Sequence, residues 1–481
     1  PNSTNPILGL AVYADGVIAC SGDGIFFSQD GISWMQLNKA SVANSGDNYS
    51  TFNARSNNAR TGQGQCHFDI YEGTSDYGEI LIVDGANKPF YFKMTGTGAL
   101  DTRTFYAQEI TVSGTISPTV GTIHDKHYVV AGDNDNKNVI YYSGVNDITN
   151  FSAGTAGNIA LEDAVIGLKS FRNELFIFCK NSIHKLVSIN DASNIAIVPV
   201  TDNVGCLDGH SIQEIAGDLI FLAPDGFRTV AGTSRIGDIE LSSISKQIQP
   251  LVQKIANKVN TFTISSVVIG DRSQYRLFYP VDATGQLSSK GIIGVLKNNP
   301  NTGSIGFEYA DMVGIKPACT DSDFIDNVET QVFGGYDGFI YKMESGNTFA
   351  TGATTTTIQA VYRSPDMVMG DPGLRKYMQR VNLNYEGEGT TIDANLALRY
   401  DYDDQNTPQP AKIALPSVGG AGTYGAAKYG QALYDASGVP LVRQSVEGSG
   451  FAVALQIDDQ NSADSFSVKG FQLEFTPGGR R

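Results

Sequence analysis

Two short stretches 44 positions apart repeat one pattern, and that repeat limits what this chain can become. Leu175-Phe-Ile-Phe-Cys-Lys-Asn181-Ser182-Ile183 aligns position for position with Leu219-Ile-Phe-Leu-Ala-Pro-Asp225-Gly226-Phe227. Each is an apolar run of strand length, an Asn or Asp with a small neighbour, and the start of a second apolar run. Asp-Gly supplies the positive φ that a tight turn demands, so each copy predicts a β-hairpin. The spacing recurs from Val17 to Asp23-Gly24-Ile25 and from Gln331 to Asp337-Gly338-Phe339, and more loosely around Asp84-Gly85, Asp133 to Asn138 and Asp282 to Gly285. From Asp23 to Asp337 these turns lie about 52 residues apart on average, close to the ~40 to 50 residues of a β-propeller blade. The expected fold is all-β: a propeller of six or seven blades over residues 1–350, then a β-sandwich over 351–481.

Within the first domain, Ser28-Gln-Asp30-Gly31-Ile-Ser33-Trp34 resembles the Asp-box turn of sialidase-like propellers, with Ser28, Asp30, Gly31 and Trp34 in a structural role and Trp34 packed inward. Residues 38–65 are polar and turn-rich and read as a long exposed loop, in which Arg55 and Arg60 are candidate partner or DNA contacts. A helical insertion is expected at 243–260. Ile244, Ile248, Leu251, Val252, Ile255 and Val259 recur at helical spacing, and Pro250 suits a first helical position. Lys246, Lys254 and Lys258 share another face of that helix, either as a solvated stripe or as a contact with DNA or an acidic neighbour.

Thr-rich Phe349 to Thr357 reads as a linker. In the second domain Ile392, Ala394, Leu396, Leu398, Tyr400 and Tyr402 alternate with polar residues, predicting a strand with one buried face, with Val381, Leu383 and Tyr385 as its neighbour. The last strand changes phase across Gly470, from Phe466 and Val468 to Phe471, Leu473 and Phe475, which marks a β-bulge. Gly419 to Gly430 reads as a protruding loop.

Motifs that would carry chemistry are weak. Gly420-Ala-Gly422-Thr-Tyr-Gly425 matches a dinucleotide fingerprint but lies outside any βαβ unit. His124 and His127, three apart in one expected strand, fall on opposite faces, and His67, His184 and His210 have no partner by spacing. Asp133-Asn-Asp135-Asn-Lys137-Asn138 places Lys at a calcium-ligand position and reads as a polar turn. Five cysteines without a CxxC pair signal neither a disulfide framework nor zinc. No enzyme, metal or cofactor is expected. No apolar run is long enough for a membrane helix, and no signal peptide is read before the first strand. With 34 basic residues against 50 acidic ones the net charge is −16, which opposes DNA coating and suits a conduit through which DNA slides.

Ile166-Gly-Leu-Lys-Ser-Phe-Arg-Asn-Glu-Leu-Phe-Ile-Phe, Asp225-Gly-Phe-Arg-Thr-Val-Ala-Gly, Ile236-Gly-Asp-Ile-Glu and Ile248-Gln-Pro250 resemble tail nozzle proteins of short-tailed bacteriophages, also called packaged-DNA stabilisation proteins. Tyr362-Arg-Ser-Pro, Gly370-Asp-Pro-Gly-Leu-Arg-Lys376, Leu398-Arg-Tyr-Asp-Tyr402 and Phe475-Thr-Pro-Gly-Gly-Arg-Arg481 fit the same family. The resemblance implies a virion protein made in the bacterial host cytoplasm: a homohexameric ring below the portal and adaptor, next to a tail fibre or tailspike, which closes the lumen on packaged double-stranded DNA until infection. The alternative is a propeller of a tail fibre or receptor-binding protein that binds host glycans through loop aromatics such as Tyr424, Tyr429 and Tyr434.

Overall fold

The computed structural model describes residues 5–37, 52–54, 64–73, 76–112, 116–152, 154–191, 193–230, 244–257, 259, 264–281, 289–298, 305–352, 354–387, 393–415, 441–459 and 466–480. The chain divides into two compact units, Pro1–Glu344 and Ser345–Arg481.

Among the described residues the first unit is a succession of seven sheets, each built on an antiparallel meander that starts with one lead strand, the second carrying a further parallel strand at its edge. The lead strands are β1 (Ile7–Tyr13), β2 (His67–Tyr71), β3 (Val120–His124), β4 (Val165–Phe171), β5 (Gln213–Ile215), β6 (Ser265–Ile269) and β7 (Pro317–Ile325). Each of the seven turns expected from the sequence falls between the second and third strands of its sheet, Asp23 between Gly16–Ser21 and Gly24–Ser28, for example. Asp282 itself lies outside the described residues, but strands Gln274–Pro280 and Ser289–Asn298 pair on either side of it.

Neighbouring lead strands are bonded round in order. Cys66 N–H donates to Leu8 O at 3.0 Å, joining the first sheet to the second. Thr122 Oγ1 and Ile123 N–H both donate to Asp69 Oδ2 at 2.7 Å. His124 Nδ1 lies 2.9 Å from Ser170 Oγ. Gly167 of β4 packs on Gly209 and Ile212 just ahead of β5. Gln213 Nε2 donates to Ser266 O at 3.0 Å, and Ser265 Oγ meets Thr320 Oγ1 at 2.8 Å. Val12 N–H then donates to Asp321 Oδ2 at 2.7 Å, returning from the seventh sheet to the first. The fold is propeller-like, and among the described residues no strand is shared between its first and last sheets.

The duplicated hairpin shows why such a body holds. In strand Glu174–Cys179, Leu175, Ile177 and Cys179 pack with Val129 and Ile140 of the third sheet, while Phe176 and Phe178 pack with Leu219, Phe221 and Ala223 of the fifth. Their counterparts 44 positions on repeat the division: Leu219, Phe221 and Ala223 face back, and Ile220 and Leu222 face forward to Tyr275 and Leu277. A strand buried on both faces must be apolar at every position, and each buried Leu, Ile or Phe contributes about 1.5–3 kcal/mol. Phe178 and Phe221 meet with centroids 5.2 Å apart.

Several local expectations are corrected. The positive φ is not in the tight turn: Ser21 pairs with Gly24 and Ala223 with Gly226, so the two-residue turns are Gly22-Asp23 and Pro224-Asp225, and the glycines, at φ 146° and 143°, open the outgoing strands. His124 and His127 do not share a strand; they pair across the hairpin turn Asp125-Lys126. Within the expected loop 38–65, Phe52–Ala54 is a strand that pairs in parallel with Thr104–Glu109. Thr348–Thr351 and Thr354–Thr357 form a hairpin rather than a linker, in keeping with the strand preference of β-branched Thr. The fifth sheet has three described strands, and helix α1 (Gln249–Ala256) follows, burying Val252 and Ile255 beside Phe227 and Leu277. Pro250 is its second residue, not its first.

In the second unit, β8 (Leu374–Gly387), β9 (Ala394–Tyr400), β10 (Val453–Asp459) and β11 (Phe466–Arg480) build two antiparallel sheets around one apolar core. β9 is not a sheet neighbour of β8, as the alternation suggests; it pairs with β10, and Val381 and Leu383 of β8 meet Leu396 and Leu398 across the core. Alternation identifies a buried face but not the neighbour that covers it. The register of β8 on β11 shifts between Asn384 and Tyr385, opposite Gly470 and Val468, which places the expected bulge at Lys469. Tyr402 leaves the buried face and is 70 % exposed. Asp401 Oδ1 accepts from Phe451 and Ala452 N–H and turns the chain there, with Tyr402 at φ 62°.

Candidate functional site

The lead strands of the first unit enclose a cavity of about 380 Å³. β1, β2 and β4 to β7 line it, together with the 3₁₀ turn Gly209–Ser211 that precedes β5. At its rim β1 and β2 run so close that a Cβ on Gly9 would stand 2.4 Å from Cys66 Cβ. The Cys66 Cβ and the Phe68 ring therefore leave no room for a side chain at that position.

Residues with no relation in sequence meet here. His67 and His210 stand edge to face with ring centroids 5.9 Å apart. Asp208 caps the 3₁₀ turn, accepting from His210 N–H at 2.8 Å and from its Nδ1 at 3.2 Å. Burial, then the neighbouring His210 and Lys169, push His67 down to about 3, so its ring is neutral. Burial lifts the Asp321 carboxyl to about 6 despite the hydrogen bond from Val12 and the nearby Lys169. Asp69 is occupied structurally, accepting from Ile70 N–H at 2.8 Å as well as from Thr122 and Ile123. The cavity thus offers one cation, carboxylates of differing character and two imidazoles, an arrangement suited to hydrogen-bonding a small polar molecule.

The residues singled out from sequence lie elsewhere. Lys246 and Lys254 are exposed, on the 3₁₀ turn Lys246–Ile248 and on α1; Lys258, Arg55, Arg60 and the loop 419–430 with its tyrosines fall outside the described residues. The Asp-box-like turn forms: Asp30 Oδ1 accepts from Ile32 N–H at 2.8 Å and Ser33 N–H at 2.7 Å, and Ser28 Oγ from Gly31 N–H at 2.9 Å. Those backbone bonds hold Asp30 at about 2. Trp34 is half-buried rather than buried, packed against the cluster of Ile7, Leu10, Val12, Ala19, Cys319 and Val332 between the first and seventh sheets. His127 is committed to Ser143 O at 2.5 Å and Asn190 Oδ1 at 2.9 Å. Asp133 has a structural role, accepting from Ser117 N–H ahead of β3 at 2.9 Å and from Asp135 N–H in its own loop at 3.3 Å. Among the described residues no group of three His, Cys, Asp or Glu is placed to hold a metal.

The cavity residues were missed because they come from separate repeats. The available signal was a charged residue in otherwise apolar lead strands, such as Asp69, Lys169 and Asp321.

No protein-family profile and no curated protein matches the chain. Among solved structures it is similar to the WD40 repeats of RRP9, at TM-score 0.40 and 9% identity over 70% of this chain and 88% of that one. It is also similar to the extracellular domain of BT4673, described as a hybrid two component system of B. thetaiotaomicron, at TM-score 0.40 and 10% identity over 79% of this chain and 42% of that one.

Proposed function

We propose that this chain is a structural virion protein, a tail nozzle of a short-tailed bacteriophage, whose copies form a closed ring of six that continues the DNA channel, retains packaged DNA and conducts it at ejection. The observation that carries this reading is where the nozzle-like residues fall. Ile166 to Phe178 build the first hairpin of the fourth sheet, Asp225 to Thr229 the end of the fifth, Leu398 to Tyr400 the end of β9 and Phe475 to Arg480 the end of β11. The resemblance therefore runs through both units.

Taken as blades, the seven sheets make a seven-bladed body. Its axis is occupied by side chains around a cavity of about 380 Å³. Duplex DNA, whose major groove alone is about 12 Å wide, has no passage there. A channel has to lie between copies, and head-to-tail contacts of identical chains give a ring where the rotation closes. A net charge of −16 suits that lumen, because a wall of Lys and Arg would hold DNA at many phosphates. Electron microscopy of the purified chain, alone and with the portal and adaptor, tests the reading. Six-fold rings below the adaptor are expected; a chain that stays single at micromolar concentration beside its adaptor overturns it.

A further inference from the structure

We propose that the outermost strand of the sixth sheet, Ile305–Met312, is a docking edge that takes up strand Thr354–Thr357 of a neighbouring copy of this chain. The inference rests on the ring proposed above and names a contact that holds it. An open strand edge is a template for pairing unless something blunts it. Among the described residues six of the seven outermost strands in the first unit are blunted. Those of the first and seventh sheets are two and three residues long, the latter ending in Lys342. The second sheet ends in the three residues Phe52–Ala54. The third and fifth end in four each, and α1 packs beside Phe227 of the fifth. In the fourth, Ala196–Thr201 contains Pro199, which has no N–H to offer, and its register shifts. The sixth alone ends in eight residues paired throughout with Ser289–Asn298 without a shift. That strand holds neither Pro nor Lys, and its other side pairs with no strand among the described residues.

A second feature supplies the occupant. Strands Thr348–Thr351 and Thr354–Thr357 form a ribbon that pairs with no third strand among the described residues. All four residues of Thr354–Thr357 are exposed, and a lone two-stranded hairpin is marginally stable in water. Charge points the same way. The edge strand carries Glu308 and Asp311, both exposed, and no basic residue, so an acidic strand laid against it is repelled. Between Glu344 and Arg363 there is no charged side chain, the longest such interval in a chain of net charge −16. The ribbon therefore approaches the acidic edge without repulsion, and its β-branched Thr side chains favour a strand. Ribbon and edge are different surfaces, so each copy gives one and takes one, which is the head-to-tail contact a ring needs.

Hydrogen exchange read by mass spectrometry on the full chain, dilute and assembled, tests this. Peptides covering Ile305–Met312 and Thr348–Thr357 are expected to gain protection together on assembly. Thr355→Asp with Thr357→Asp places two like charges against the edge and should weaken each contact roughly tenfold while the single chain keeps its fold. Adding Glu308→Lys with Asp311→Lys should restore association. If the Asp variant does not fold, the exchange of the parent chain decides alone. Rings in which neither segment gains protection overturn this inference and leave the nozzle reading standing. Dimers or open filaments joined through both segments overturn the ring and keep the strand docking. A folded Asp variant that assembles as the parent does overturns the docking, and a parent chain that stays single overturns both.

Discussion

The backbone N–H of Val12 donates to Asp321 Oδ2 at 2.7 Å across 309 residues of sequence, and this bond ties the first sheet of the propeller-like unit to the seventh. Burial of the acceptor also sets up a pH signature. Asp321 is raised from 3.8 to about 6, so in that window the folded chain keeps a proton that the unfolded chain releases, and stability falls as pH rises. His67 is lowered from 6.5 to about 3, so between those values the unfolded chain holds the extra proton, and stability falls as pH drops. Each slope is at most about 1.4 kcal/mol per pH unit, and the two oppose each other from roughly pH 4 to 6. Relative to the parent chain, Asp321→Asn should therefore gain stability as pH rises through that window and His67→Phe should lose it. Urea midpoints of each variant and the parent at several pH values check the signs, and equal slopes for both variants would refute the assignment.

All five cysteines are buried thiols, none of them in a disulfide. Burial pushes Cys179 and Cys206 up to about 12 and Cys319 higher still, and a thiol reacts through its thiolate. Folded protein at pH 8 should be nearly inert to a thiol-specific reagent, and urea should expose all five groups together with the loss of structure. Rapid labelling of Cys179 or Cys206 before unfolding would contradict the packing of the fourth and fifth sheets.

Much of the architecture was legible because it rests on short-range chemistry. The seven polar turns mark second-to-third strand connections, and the apolar runs at Leu175 and Leu219 mark strands buried on both faces. Turn geometry was less legible: an Asp-Gly pair is compatible with a glycine inside the turn or just after it, and only the register of Ser21 on Gly24 decides. Pairing in the second unit was not legible at all, since β8 and β9 have similar buried faces and lie in opposite sheets. The cavity was hidden for the same reason at longer range. His67 and His210 become neighbours only once β2 and β5 are placed around one axis.

Asp30 offers a local test. Its Oδ1 accepts from Ile32 and Ser33 N–H, and Ser28 Oγ stands 3.1 Å away. Asp30→Ala leaves those exposed donors to water, so the expected cost is modest, about 0.5–1.5 kcal/mol, and Asp30→Asn should recover part of it. The readout is specific, because Trp34 is the only tryptophan in the chain. Its half-buried ring packs against the apolar cluster that includes Val12, Ala19 and Val332, so the Ala variant should shift its emission to the red before any global unfolding, while Asn should shift it less. An unchanged spectrum in Asp30→Ala would show that the turn does not position Trp34.

Lys246 and Lys254 separate a solvated stripe from a DNA clamp. Both side chains are exposed, and the opposite side of α1 supplies the packing through Val252 and Ile255. Replacing both lysines by alanine should change stability by less than about 0.5 kcal/mol, as surface substitutions usually do. If the two ammonium groups each neutralised a phosphate, their loss would reduce the slope of log K against log salt for duplex DNA by about 2. On the proposed nozzle reading, with a net charge of −16, no such change is expected, and particles carrying the double variant should keep their DNA while ring assembly responds. Assembly that proceeds normally while DNA escapes, together with a reduced salt slope, would make the stripe a clamp and overturn the proposal of an acidic lumen that does not hold DNA.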